Sequence, residues 1–179
     1  ETKVLRALDA DDMHYDIQDT LAAVGIENAA LQTDLSAYWG ERFFTNEYVT
    51  ADALIDGGVA YVNSLKTKGA KIIYLTGRDA PRMGAGTERA LRNAGLPLDE
   101  AAHLILKPDA ETDDTDFKRT VFANIAAMGK VIAAFDNEPS NVNAFKDYFT
   151  TAKVVFLDTR HSKKPDRPAP GIVWIKDFK

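Results

Sequence analysis

Two kinds of apolar pattern alternate along this chain. Short unbroken runs of hydrophobic residues stand at Ile72–Leu75, in "HLILK" at 103–107, in "VIAAF" at 131–135 and in "VVFL" at 154–157, with "IVWI" at 172–175 as a last candidate. Each has the length of a buried strand. Between them, apolar residues recur every three or four positions. Ile55, Val59, Val62 and Leu65 predict a helix over 53–68, stopped by Gly69. Met83, Thr87, Ala90, Leu91 and Ala94 predict one over 80–94, followed by Gly95. Phe117, Val121, Ile125 and Met128 mark a third, closed by Gly129, and Pro139 suits the first turn of a fourth carrying Val142, Phe145 and Phe149. Strands that are apolar throughout, separated by amphipathic helices, predict a parallel α/β sheet covered on both faces. Ligands bind such sheets at the carboxyl ends of the strands.

Residues 1–52 break this rhythm. "TKVLRAL" reads as a strand over 4–8 or as a helix end. Segments 17–25 and 29–44 read as helices, the second carrying Leu31, Leu35, Tyr38, Trp39, Phe43 and Phe44. An aromatic-rich helix pair of this kind is a packing surface before it is a cofactor box.

Composition narrows the chemistry. A length of 179 residues suits one domain, and 45% hydrophobic residues suffice for a core. The net charge of −5 is spread along the chain, against a nucleic-acid footprint. No apolar run approaches the roughly 18 residues of a membrane span. The absence of cysteine excludes disulfides, thiolate nucleophiles and zinc–sulfur sites, and His14, His103 and His161 stand too far apart in sequence for a histidine pair on one helix. No signal peptide is legible; a cytoplasmic location is the expectation, with the periplasm equally compatible with a chain lacking cysteine.

The strand ends hold the candidate chemistry. Thr76, Gly77 and Arg78 follow the first apolar run, Lys107 and Pro108 the second, and Asp136, Asn137 and Glu138 the third. If 4–8 is a strand, Asp9, Ala10, Asp11 and Asp12 follow it. Phosphoryl transfer needs this set: a carboxylate to attack phosphorus, oxygen ligands for Mg²⁺, a hydroxyl and a bare amide for the phosphate oxygens, a lysine against accumulated charge, and a second acid for proton transfer.

The pattern resembles the haloacid dehalogenase superfamily, most of whose members are phosphatases. "DADDMHYD", Asp9 to Asp16, matches the aspartate spacing of its DxDGTLFD motif. "YLTGRD" matches its second motif, Lys107 its third at 29 residues before Asp136, and "FDNEPSN" its acidic fourth. With "FFTNEY" and "LKP", these look like an uncharacterised bacterial branch of phosphatase-like proteins. The resemblance implies a single domain over 1–179, a Rossmann-like three-layer α/β/α sandwich with 17–48 as a small helical cap insert. It also implies a Mg²⁺-dependent phosphohydrolase acting on a small phosphorylated substrate through an aspartyl-phosphate. Asp9 would be nucleophile and metal ligand, and Asp11 general acid/base with its carbonyl on the metal. Thr76, Gly77 and Arg78 would bind the phosphoryl group, Lys107 would balance charge, and Asp136 would complete the metal site.

Met13 and Asp12 depart from the family's Thr and Gly, and Arg6 interrupts the first strand. On the other reading "ALDADDMHYD" is a solvated loop in which Asp16 caps the next helix, and a nucleophile lies upstream of Glu1. Two further functions stay open: a non-catalytic relative that binds a phosphorylated ligand, and a module docking a partner through the aromatic helices at 31–48. "DTRHS", 158–162, holds Asp, His and Ser too close together in sequence for a catalytic triad.

Overall fold

A computed structural model of the protein describes residues 13–179. The candidate strand 4–8 and the carboxylates Asp9 and Asp11 lie outside the described residues.

The described part opens with two helices, α1 (Ile17–Ala23) and α2 (Ala29–Phe43). Asp16 caps α1 by accepting a hydrogen bond from the Gln18 amide at 2.7 Å, and Asn28 caps α2 through the Leu31 amide at 3.0 Å. The expected role of Asp16 as a cap is therefore present. A 3₁₀ turn at Tyr48–Ala51 follows, of which Val49 is buried.

Helix α3 (Gly58–Thr67) begins five residues later than the periodicity predicts. Gly57 sets this boundary: at φ +76° it adopts the left-handed conformation, which keeps Ile55 out of the helix. Then come β1 (Ile72–Asp79), α4 (Ala80–Asn93), β2 (Ala102–Lys107), α5 (Asp114–Met128), β3 (Ala133–Asp136), α6 (Pro139–Tyr148), β4 (Lys153–Leu157) and β5 (Val173–Ile175).

All ladder pairings among the described strands are parallel, as the apolar runs predict. They fall into a two-stranded sheet, β1–β2, and a three-stranded sheet, β3–β4–β5. The fold is mixed α/β. One core cluster joins α5, α6 and β4: Phe122, Val142, Ala144, Phe145, Val154, Phe156 and Ile172 are buried together. Leu75 of β1 and Ala134 of β3 pack against it, so both sheets rest on the same apolar mass. Burying each Phe, Val or Ile side chain of this cluster contributes about 1.5–3 kcal/mol.

Helix α5 buries Phe117 and Ile125 of the expected face and half-buries Val121, but the buried stripe is shifted. Phe117, Lys118, Phe122 and Ile125 are buried, whereas Met128 is exposed. Helix α2 buries none of its residues completely, although Trp39, Phe43 and Phe44 stack together at centroid distances of 4.4–5.5 Å. No helix among the described residues is long and apolar enough to cross a membrane.

Candidate functional site

The carboxyl end of β1 is irregular where the chemistry was expected. Leu75 pairs with Ile105, and the next pair is Asp79 with Lys107, so Thr76, Gly77 and Arg78 stand opposite the single residue Leu106. Such a bulge takes residues out of the regular ladder and re-aims them. Within it, Thr76 Oγ1 accepts a hydrogen bond from the Arg78 amide at 3.2 Å, leaving the hydroxyl proton free of that bond. The Arg78 guanidinium is paired with Asp52. Asp79 is buried and caps α4 through the Arg82 amide at 3.0 Å. Hydrogen bonds from the Arg82 guanidinium at 2.9 and 2.7 Å hold its carboxyl below the usual range.

Lys107 ends β2. Its side chain is 8% exposed, and Nζ lies 2.8 Å from Asp114 Oδ1 at the start of α5. Asp114 also leans over Gly77: a Cβ at that glycine would stand 2.7 Å from Oδ1 and closer still to Oδ2. Gly77 and Lys107, on neighbouring strands, thus share one carboxylate between them.

Asp136 ends β3, and the cation touching it is one the sequence reading did not select. Lys118 Nζ, on the second turn of α5, lies 2.6 Å from Asp136 Oδ2, and the two side chains are 7% and 9% exposed. Asp136 Oδ1 accepts from the Glu138 amide at 2.9 Å and from Asn141 Nδ2 at 3.1 Å. Asn141 Oδ1 in turn accepts from the Thr115 hydroxyl at 2.8 Å. Low dielectric strengthens each link of such a network, provided every member is satisfied. Lys107, the expected charge-balancing residue, pairs with Asp114. Lys118 had a signal in the sequence: it is spaced four residues before Phe122 and seven before Ile125, a cation in an apolar stripe, which burial allows only with a partner.

Glu138 precedes α6 without capping it. Both its oxygens are held by Ser162, through the amide and the hydroxyl, at 2.6 Å each. Ser162 therefore gives its hydroxyl proton to Glu138, while His161 Nδ1 meets the Ser162 carbonyl at 2.8 Å, so "DTRHS" forms no triad. Asn137 Nδ2 donates to the Arg160 carbonyl at 2.6 Å.

Of these groups, Lys107, Asp114, Glu138 and Ser162 line a polar cleft of about 340 Å³, together with Tyr15 and Lys164. Tyr15, from the stretch "DMHYD", turns its hydroxyl toward the acids. Its phenol is pushed up to about 12 by burial first, then by the charges of Glu138, Asp114 and Asp136, with a hydrogen bond to Glu138 adding to the rise.

The first turns of α5 draw the pieces together. Asp114 reaches Gly77 and Lys107, and Lys118 reaches Asp136. Thr76 and Gly77 are at the end of β1, next to Lys107, while Arg78 is committed to Asp52. Asp9 and Asp11 lie outside the described residues. Carboxylate oxygens suit Mg²⁺. Among the described residues, however, no group of three or more Asp, Glu or His side chains is arranged to hold a metal. Of the expected ligands only Asp136 is described, already engaged by Lys118. Compared with known proteins, the chain matches no family model, no curated protein and no solved structure.

Proposed function

We propose that the protein is a phosphohydrolase acting on a small phosphate monoester, with its reacting centre at the carboxyl ends of β1, β2 and β3. The observation that carries this reading is Lys107, buried at the end of β2, which shares the Asp114 carboxylate with the Cβ-free position of Gly77 on the neighbouring strand, while a second buried lysine, Lys118, meets Asp136 at the end of β3. Buried cations at the rim of a parallel sheet answer the charge of an anionic ligand, and phosphoryl transfer rests largely on such positioned charge.

In this reading the Thr76 hydroxyl and the Gly77 backbone hold the phosphoryl oxygens. Lys107 balances their charge, and Lys118 holds Asp136 in place. Asp9 attacks phosphorus, and the leaving oxygen departs with a proton from Asp11. Asp11 then takes a proton from water, which attacks the acyl phosphate and releases inorganic phosphate with Asp9 restored. Mg²⁺, held by Asp9, the Asp11 carbonyl and Asp136, would neutralise charge on the transferring group. Helices α1 and α2 serve as the cap over a three-layer α/β/α domain.

The second reading keeps the fold and the phosphate niche without turnover. The irregular first motif, with Met13 and Asp12, favours it. A panel of phosphate monoesters assayed with Mg²⁺ separates the two. Turnover that Asp9→Asn abolishes, and that Thr76→Val lowers by about 10²-fold or more, is the expected result. Activity that survives Asp9→Asn removes that residue as nucleophile. No turnover by the wild type, together with phosphate binding, establishes the binding protein.

A further inference from the structure

The niche between Gly77 and Lys107 is already filled by an anion, the carboxylate of Asp114. Three features define the arrangement. Gly77 leaves no Cβ, and the Asp114 carboxylate fills the space where one would stand. Lys107 Nζ meets Asp114 Oδ1 at 2.8 Å, with the Ala110 carbonyl at 3.4 Å as a weaker second acceptor. The partners differ in freedom: the lysine side chain is 8% exposed and the aspartate side chain 52%. The cation is fixed by its surroundings, and the carboxylate is the half that can swing into solvent.

We propose that Asp114 is an internal competitor for an oxyanion: its carboxylate occupies the place of a phosphoryl group over Gly77 and against Lys107, and a phosphate must displace it to bind. The inference rests on the reading of Thr76 and Gly77 as a phosphate cradle. The competitor has a structural use, because without an anion Lys107 would be a buried unpaired charge. It also has a cost in affinity. A ligand that binds only the open form binds more weakly by the fraction of molecules in which the niche is open. The contact therefore selects against weakly held anions and sets a threshold for the true ligand.

The test is calorimetric titration of the full chain with inorganic phosphate, with Mg²⁺ present throughout. Asp114→Asn keeps the shape and removes the charge. It should bind phosphate about tenfold more tightly than wild type, and its melting temperature should fall without phosphate and recover with it. Asp114→Ser carries the same expectation and serves if the asparagine variant folds poorly. Removing any nearby negative charge aids an anion slightly, so Asp113→Asn is the control. Its carboxylate caps α5 and pairs with Lys164 rather than covering Gly77, and it should change affinity by no more than about threefold. Lys107→Met should abolish binding. If the Asp114 variants bind no more tightly than Asp113→Asn, while wild type binds and Lys107→Met does not, the competitor is refuted and the cradle stands. If neither wild type nor the Asp114 variants bind phosphate, the cradle reading falls and this inference with it.

Discussion

Lys118→Met is the perturbation that tests the architecture of the site most directly. The substitution keeps an unbranched side chain of similar length among Phe117, Phe122 and Ile125 and removes only the ammonium. What remains is a carboxylate, Asp136, 9% exposed, that has lost its contact at 2.6 Å. Removing one partner of a buried ion pair typically costs about 3–5 kcal/mol, because the other charge stays desolvated. Asp136 keeps its hydrogen bonds from the Glu138 amide and Asn141, which puts the expected loss near the lower end, about 3 kcal/mol. In a domain of this size that corresponds to a fall in melting temperature of roughly 6–12 °C. Asp136→Asn should cost a similar amount by stranding Lys118. The double variant strands neither and should recover about 2 kcal/mol relative to the sum of the singles. Urea unfolding followed by tryptophan fluorescence measures all four proteins. Single variants that cost less than about 0.5 kcal/mol each, or a double variant that costs their sum, would mean that the two groups do not meet in a desolvated pair.

Gly86→Ala in α4 should destabilise, although helix propensity alone favours alanine by about 1 kcal/mol. The new Cβ would stand 2.6 Å from Asn46 Cα and break the seat in which Asn46 Oδ1 accepts the Gly86 amide at 2.6 Å. Overpacking against backbone gives a net loss of about 1–2 kcal/mol, whereas Gly84→Ala, facing the flexible tip of Leu106 at 3.3 Å and the Ala80 Cβ at an ordinary 3.9 Å, should be neutral or stabilising in the same thermal melts. Tyr74 buries its hydroxyl without a hydrogen-bond partner among the described residues. Tyr74→Phe should therefore be neutral or stabilise by about 1 kcal/mol in urea unfolding, and a large loss would reveal a partner for the hydroxyl. Tyr74 and Tyr15 are both pushed up to about 12, in each case first by burial. Both stay neutral in the folded chain at pH values where the unfolded chain ionises, so stability is full below about pH 10 and falls as pH rises toward 12. Tyr74→Phe should make that alkaline fall shallower, and an unchanged slope would contradict the shift.

The elements were legible in the sequence because their causes are local. An unbroken apolar run such as Ile72–Leu75 has no stable place except a covered strand, and Asp16, Asn28 and Asp79 cap helices through amides two or three residues away. The parallel pairing also followed from the pattern, since strands apolar on both sides need helices between them. The candidate site was legible only as a set of strand ends. Nothing local names Lys118 as the neighbour of Asp136; that contact depends on how α5 sits over the sheet, where Phe122 packs on Phe145, Tyr148 and Phe149 farther along the chain. The bulge at Thr76–Arg78 arises from register with β2, and the pairing of Arg78 with Asp52 from the path of the segment before α3. The tertiary structure alone placed Asp114 over Gly77, because a glycine shows in sequence that space is needed there but not which side chain will fill it.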